Sequence, residues 1–106
     1  MREIKPKELQ QYLHATSTPP MLLDVREPWE YQTCHIAEAK LVPMSSVPTA
    51  CIPWDKHQEI VCICHHGRRS AQVATYLEQQ GFTNIINLSG GIDAWAREVE
   101  PSMPTY

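Results

Sequence analysis

The apolar residues of this chain fall into short, mainly apolar runs and longer stretches with helical spacing. The short runs are typical of buried strands and occupy residues 21–25, 39–42, 60–64 and 84–88. Helical spacing predicts about ten residues from Pro6, a short helix over 27–32, a segment with Ala71, Ala74 and Leu77 on one face, and residues 92–99. Strands that alternate with helices are typical of βαβ units. We therefore expect an α/β fold with a mostly parallel sheet and helices on both faces.

The remaining segments are predicted to be turns and connections. Gly81 is expected to end the third helix in a left-handed conformation, and residues 43–54, with three prolines, form a surface connection. The tail from about residue 100 to 106, with two further prolines, is expected to be frayed. We interpret residues 1–106 as one domain, because this length suits a single hydrophobic core.

Composition and charge exclude several classes of function. A content of 42% hydrophobic and 20% charged residues is ordinary for a globular protein, and the net charge of −3 argues against a general nucleic-acid partner. No apolar stretch approaches the roughly 20 residues of a membrane span, and the N-terminal residues lack the apolar region of a secretory signal. We expect a cytoplasmic protein with neither a membrane nor a nucleic-acid partner.

The four cysteines do not suggest a disulfide framework. Cys62 and Cys64 lie two residues apart on one predicted strand, which is poor geometry for bridging each other. Nothing else in the chain looks secreted, so we expect reduced thiols. Cys62 is predicted to be a core residue, and Cys34 and Cys51 are predicted to take no part in chemistry, although a redox role for either stays open.

The strongest chemical signal follows the run 60–64, where a polar, cationic loop leads into a helix. We call residues 64–70 the cysteine loop; after Cys64 it contains His65, His66, Gly67, Arg68, Arg69 and Ser70. In parallel sheets, ligands bind beyond the carboxyl ends of the strands. Loop amides, a helix N-terminus and two guanidinium groups there would stabilise a thiolate and bind an anion. The pattern predicts a cysteine nucleophile, with a simple buried thiol as the alternative.

A metal site is the other chemistry that these residue types suggest. Zinc sites commonly use spaced pairs such as C-x₂-C, whereas Cys62 and Cys64 are separated by one residue and Cys62 would point into the core. We therefore predict no metal. His65 and His66 are expected to line the cysteine loop and donate hydrogen bonds there.

Three motifs, in order along the chain, resemble those of rhodanese-like domains. They are Leu23-Asp24-Val25-Arg26 with Glu30-Tyr31, His35-Ile36 and Ala39; the cysteine loop; and Gly90-Gly91 with Ala94-Trp95. Together they cover nearly the whole chain. The resemblance implies a five-stranded, mostly parallel α/β sheet and a sulfurtransferase. Cys64 would carry a covalent persulfide, with no other cofactor.

The resemblance also implies substrates. Residues 65–70 would hold the oxygens of a small anionic sulfur donor such as thiosulfate while Cys64 attacks its outer sulfur and sulfite leaves. Cyanide, a thiol or a sulfur-accepting protein would then take the sulfur. Gly67 would let the loop turn tightly enough for several N–H groups to converge on the site.

Other polar and aromatic residues of the motifs are expected to support the site. We predict that Asp24 and Arg26 form a polar network that fixes the loop, with direct catalysis as the alternative. Glu30 and His35 are expected to form a structural pair, and Trp29 to be a packing residue, as is Trp95.

In one place the chain departs from the family pattern. The family usually has glycine before the histidine and again before the alanine of the first motif, where this chain has Cys34 and Glu38. Since those glycines serve the backbone, the substitutions bear on local turn geometry more than on activity.

Two alternative functions share the expected architecture. Phosphatases and arsenate reductases have a cysteine, five residues and then an arginine, whereas only four residues separate Cys64 from Arg69 and Ser70 occupies the sixth position. The shorter loop favours a pocket for one sulfur atom over one for a phosphoryl group. A non-catalytic binding domain is the other alternative, and the presence of Cys64 argues against it.

Overall fold

The computed structural model describes all residues from 1 to 106, in five strands and five α-helices. In chain order these are β1 (Arg2–Ile4), α1 (Pro6–Ala15), β2 (Met21–Asp24), α2 (Pro28–Thr33), β3 (Lys40–Leu41), α3 (Val47–Ala50), β4 (Ile60–Ile63), α4 (Arg68–Gln79), β5 (Ile85–Leu88) and α5 (Gly91–Glu98). A 3-10 turn, Met44–Ser46, precedes α3. None of the helices is both long and apolar enough to cross a membrane.

The five strands form one sheet in the order β1-β5-β4-β2-β3, and every pairing is parallel. This confirms the predicted α/β fold. The apolar pattern did not predict β1, which has only three residues, two of them the exposed Arg2 and Glu3. This edge strand forms because it can pair with β5, a contact that no local pattern reveals.

Helices cover both faces of the sheet. On one face α1 and α5 pack Leu9, Ile92 and Trp95 against alternate strand residues such as Val61 and Ile63. On the other face α4 packs Val73, Ala74 and Leu77, and α3 contributes Val47. The predicted helix face is thus confirmed at Ala74 and Leu77, whereas Ala71 is only partly buried. Alternation along each strand divides the core into two layers.

The helix ends follow the expected sequence signals. Pro6 and Pro28 occupy the first positions of α1 and α2. After α4, Gly81 adopts φ +97° and the amide of Phe82 donates to the carbonyl of Leu77 at 3.1 Å, which is a Schellman cap. The prediction that Gly81 ends this helix is confirmed.

Glu38 has the only positive φ among the non-glycine residues, +72°. It stands at the position where the family usually has glycine. A non-glycine side chain therefore adopts a strained left-handed conformation in this turn, which is the local change in turn geometry that the sequence predicted. Cys34, the other departure, has extended backbone with φ −166° and needs no glycine.

The C-terminal tail is packed, which corrects the prediction of fraying. Met103 is buried in the layer beneath α1 and α5, and the indole of Trp95 donates to Glu100 at 3.0 Å. The phenol of Tyr106 hydrogen-bonds Arg26 and Glu30. The prolines interrupt regular structure in this tail, but two anchoring side chains hold it against the domain.

The N-terminus of α5 is hydrogen-bonded to the segment that follows β4. The amide of Ile92 donates to the carbonyl of Cys64 at 2.8 Å, and that of Asp93 donates to the carbonyl of His65 at 3.0 Å. Gly91 lies directly against the same two carbonyls, with φ +61° and no room for a Cβ. Gly91 of the third motif is therefore needed for close approach between α5 and the cysteine loop, whereas a Cβ at Gly90 would collide with Ala94 within α5.

We expect Gly91→Ala to lower the free energy of unfolding by about 3 kcal/mol, because it adds both a collision and a strained backbone. Gly81→Ala is the matched control, since φ there is also positive but nothing lies within 4 Å of an added Cβ. We expect that variant to lose about 1 kcal/mol. Urea denaturation of both variants measures the difference, and equal losses would mean that the approach of α5 to the loop is not tightly packed.

Candidate active site

Cys64 follows β4 at the carboxyl edge of the sheet, beside the end of β2. The residue is 1% exposed, and its sulfur accepts hydrogen bonds from the amide of Gly67 at 3.0 Å and the hydroxyl of Ser70 at 3.2 Å. The sequence predicted several loop amides around the sulfur, whereas in the structure it accepts from one amide and one buried hydroxyl. Both donors stabilise negative charge on the sulfur.

The sulfur lies at the base of an open cavity of about 320 Å³ whose lining residues, apart from Cys64, are all polar or charged. Its lining residues are Cys64, His65, His66, Arg68, Arg69 and Gln72. Four of the six residues predicted to bind substrate thus line it. Ser70 reaches the sulfur from beneath, and Gly67 supplies its amide.

Arg69 is held by a carboxylate. Its two terminal nitrogens donate to the two oxygens of Glu30 at 2.8 and 2.9 Å, and Glu30 is 4% exposed. These hydrogen bonds lower the pKa of Glu30 to about 2, against the opposing effect of burial. Of the two guanidinium groups predicted at the loop, Arg69 is therefore paired with Glu30, and only the exposed Arg68 lacks an ion pair.

Arg26 and Asp24 form a fully buried, bidentate ion pair, with distances of 2.9 and 2.7 Å. Arg26 also donates to the carbonyls of Cys34 at 2.7 Å and Glu30 at 3.3 Å. Burial opposes its charge, but the hydrogen bonds that it donates to Asp24 and Tyr106 raise the pKa of Arg26. The geometry is the polar network that the sequence predicted, and it leaves no free oxygen of Asp24 aimed at the cavity.

Glu30 and His35 do not form the expected pair. Glu30 points inward to Arg69, and it also accepts the amide of Glu27 at 2.9 Å, which caps α2. His35 lies beyond the end of that helix, exposed and stacked on the ring of Tyr31 at 3.9 Å. The prediction was wrong because the carboxylate of Glu30 is paired with Arg69, while Nδ1 of His35 lies 2.8 Å from the carbonyl of Tyr31.

The two aromatic packing residues have different surroundings. Trp95 is buried in the core as predicted. Trp29 is 59% exposed. Its one aromatic neighbour is Tyr106, whose ring lies in an edge-to-face arrangement at a centroid distance of 5.4 Å. Trp29, also predicted to be a packing residue, therefore packs only at the surface, against Tyr106 of the tail.

The two histidines of the cysteine loop are stacked on each other. His65 lies between the rings of His66 and Tyr106, at centroid distances of 4.0 and 4.1 Å. Burial and the neighbouring His66 lower the pKa of His65, so its neutral form is favoured at pH 7. His66 is exposed, and its Nε2 lies 4.0 Å from a carboxylate oxygen of Asp93.

One group of side chains, His65, His66 and Asp93, has the composition of a metal site, with ligand atoms within 4.8 Å of one another. The two imidazoles stack at a centroid distance of 4.0 Å and an interplanar angle of 26°. Asp93 is also paired with Arg97 at 3.2 Å. That the site holds no metal stays a prediction from the sequence.

Known proteins share both the sequence and the fold. Residues 5–98 match the sequence profile of the rhodanese-like domain. A sulfurtransferase of Allochromatium vinosum is 38% identical over 95% of this chain and 94% of its own length. The chain belongs to the rhodanese-like family.

Solved and longer relatives agree with this assignment. The crystal structure of a rhodanese-like domain protein from Staphylococcus aureus superimposes with a TM-score of 0.84 at 34% identity, over 93% of this domain and 95% of that chain. A chloroplastic rhodanese-like/PpiC domain-containing protein of Arabidopsis thaliana is 36% identical over 80% of this chain. This rhodanese-like domain spans only 30% of that relative, which carries more than this unit.

Sequence reasoning missed three residues that shape the site of this rhodanese-like domain. Asn87 donates to the carbonyl of Gly67 at 3.2 Å and to Glu3, and so anchors the turn that aims the Gly67 amide at Cys64. A polar residue inside the apolar run 85–88 was the available signal. Gln72 and Tyr106 gave no comparable signal, because only the packing of α4 and the tail brings them to the site.

The other cysteines of the rhodanese-like domain are buried. All four cysteines are free thiols. Burial, and to a smaller extent the charge of Cys64, raise the pKa of Cys62 to about 12, which keeps it protonated. Its predicted core role is confirmed. Cys34 and Cys51 are buried and line no part of the cavity at Cys64.

The ion pair of Glu30 predicts a pH-dependent contribution to stability. The pKa of Glu30 falls from 4.5 to about 2 on folding, so its stabilisation is complete above pH 4.5 and is lost as the pH falls through about 2. We expect Glu30→Gln to lose about 3 kcal/mol at pH 7 and far less near pH 2. Urea denaturation across this range checks it.

The control is Glu98→Gln, which alters an exposed carboxylate without an ion pair. Its loss should be below about 0.5 kcal/mol at every pH. A loss for Glu30→Gln that does not change between pH 5 and pH 2 would contradict the strong pairing of Glu30 with Arg69.

Proposed function

We propose that this rhodanese-like domain is a sulfurtransferase that carries sulfur as a persulfide on Cys64. The observation that supports it most directly is a cysteine sulfur with two hydrogen-bond donors at the base of an open, polar, cationic cavity. A thiolate is the nucleophilic form of cysteine, and hydrogen-bond donors interact more strongly with a thiolate than with a neutral thiol. The sulfurtransferase name of a relative that matches over nearly its full length agrees with the proposal.

Each half of the proposed reaction is a displacement at sulfur. The Cys64 thiolate attacks the outer sulfur of thiosulfate, a new S–S bond forms, and the original S–S bond breaks as sulfite leaves with the electron pair. A nucleophilic acceptor, cyanide or a thiolate, then attacks the terminal sulfur of the persulfide. Cys64 leaves as a thiolate, ready for the next donor, so no external oxidant or reductant is needed.

The donors around the sulfur suit both halves. The Gly67 amide and the Ser70 hydroxyl hold negative charge on Cys64 before attack and again when it leaves. The cavity above them has room for the added sulfur and for a small donor anion. The protonated Cys62 is excluded from the reaction by its burial.

We assign the binding of the donor anion mainly to Arg68 and the first turn of α4. Arg68 lines the cavity with an unpaired guanidinium, and α4 begins at the same residue, so its N-terminal amides add positive potential. Arg69 contributes differently, because Glu30 offsets its charge and fixes its direction. Its role is to hold the loop in shape.

The phosphatase alternative is disfavoured by the same contacts. Phosphoryl transfer on a cysteine loop needs a guanidinium that is free to bind the equatorial oxygens of phosphate. Arg69 is occupied by Glu30, and the following position is Ser70, which bonds Cys64. Steady hydrolysis of an aryl phosphate by the purified protein would reverse this preference.

We expect Cys64→Ser to abolish transfer of sulfur from thiosulfate to cyanide, whereas Cys62→Ser, the matched control, retains most of it. Intact-mass analysis after incubation with thiosulfate should reveal a gain of one sulfur that cyanide reverses. The gain should be absent from Cys64→Ser. Full activity of that variant would exclude Cys64 as the nucleophile.

Substitutions of Arg68 and Arg69 should have different effects on the kinetics and on the stability of the protein. We expect Arg68→Ala to raise KM for thiosulfate about fivefold with little change in stability, because an exposed cation is lost. Arg69→Ala should instead lower the free energy of unfolding by about 2 kcal/mol, because Glu30 stays buried without its cation. Lys7→Ala, which removes an exposed lysine of α1, controls for net charge. Identical effects of the two arginine variants would refute this division.

A further inference from the structure

Tyr106, in the C-terminal tail, connects two buried charges. Its hydroxyl donates to an oxygen of Glu30 at 2.8 Å and accepts a hydrogen bond from Arg26, also at 2.8 Å. Burial, together with the carboxylate of Glu30, raises the pKa of this phenol to about 12, so it stays protonated and keeps this donor. One oxygen thus links the Asp24–Arg26 pair to Glu30.

The ring of Tyr106 makes a second contact with the site. It stacks on His65 at a centroid distance of 4.1 Å and an interplanar angle of 19°. The tail residues Pro104 and Thr105 and the ring lie along a small cleft that Cys34 and Ile92 also line. Tyr106 therefore covers the face of His65 opposite His66.

These two contacts reach the cysteine loop at separate points. The hydroxyl acts through Glu30 on Arg69, five residues after Cys64, and the ring acts on His65, the residue next to Cys64. The Gly67 amide that donates to the sulfur lies between these points. Fixing both points restricts the turn in which that amide is held.

We infer that Tyr106 is a positioning residue of the active site, which fixes Arg69 through Glu30 and fixes His65 by stacking, so that the tail holds the cysteine loop around Cys64. The effect on catalysis rests on the proposed sulfurtransferase function. The effect on loop geometry does not.

The test compares Tyr106→Phe, which keeps the stacked ring and removes both hydrogen bonds, with Tyr106→Ala, which removes all contacts. We expect Tyr106→Phe to lower kcat for thiosulfate–cyanide transfer about tenfold and Tyr106→Ala about thirtyfold, since small displacements of reacting groups are costly. KM should change less than twofold, because Arg68 is untouched.

Titration of the His65 ring by NMR is a readout that simple destabilisation does not move. Loss of the covering ring in Tyr106→Ala should bring the pKa of His65 up toward its ordinary value, while Tyr106→Phe leaves it low. The charged and titratable groups that face His65 are His66, Asp93, Glu30 and Arg69, and none of them is substituted. The pattern across the two variants therefore reports on the ring alone.

The matched control is Tyr12→Phe, which removes a phenol hydroxyl that donates to Glu59. Glu59 directly precedes β4, at the amino ends of the strands and away from Cys64. Its kinetics and its His65 titration should equal those of the parent. Unchanged kcat in Tyr106→Phe, or an unchanged His65 titration in a folded Tyr106→Ala, would overturn the inference. If Tyr106→Ala does not fold, kcat of Tyr106→Phe decides the question.

Failure of the proposed function gives a different result. If the parent protein forms no persulfide with thiosulfate, the sulfurtransferase assignment fails, and the His65 titration still tests the role of Tyr106. In that case a raised His65 pKa in Tyr106→Ala supports the positioning role and an unchanged one overturns it.

Discussion

The site depends on a buried ion pair between Asp24 and Arg26. All five N–H groups of the guanidinium donate hydrogen bonds: to both oxygens of Asp24, to the carbonyls of Glu30 and Cys34, and to the phenol of Tyr106. Removing two charges from water is costly, and only such complete satisfaction offsets the cost. Because the partners come from three segments, the ion pair fixes β2, α2 with its C-terminal cap residue, and the tail relative to one another.

A chain of hydrogen bonds connects this ion pair to the cysteine loop. Glu30 joins the network through its own carbonyl and through Tyr106, and it holds Arg69 in a bidentate pair. From the other side, α5 binds the carbonyl of Cys64, and Asn87 binds that of Gly67. The loop is therefore held at several points by protein contacts made before any substrate arrives. In the proposed reaction, this preorganisation would place the Gly67 amide and the Ser70 hydroxyl at the sulfur before a substrate binds.

The contrast between Cys62 and Cys64 depends on position relative to α4. Both belong to the layer between the sheet and that helix. Cys62 lies within β4, where no donor reaches its sulfur and burial raises its pKa to about 12. Cys64 lies one residue beyond the strand, where Ser70 in the first turn of α4 and the Gly67 amide reach it. A shift of two residues thus separates a core thiol from a candidate nucleophile.

The sequence alone determined the parallel α/β fold, four of the five strands, the cysteine at a strand end and the cationic loop after it. These features depend on local periodicity, turn residues and the order of motifs, all of which are written along the chain. Only the tertiary structure decided that Glu30 pairs with Arg69 and not with His35, that β1 completes the sheet, and that Tyr106 packs against the loop. Those partners are separated by tens of residues, and side-chain direction, which decides each pairing, is set by packing that no local pattern encodes.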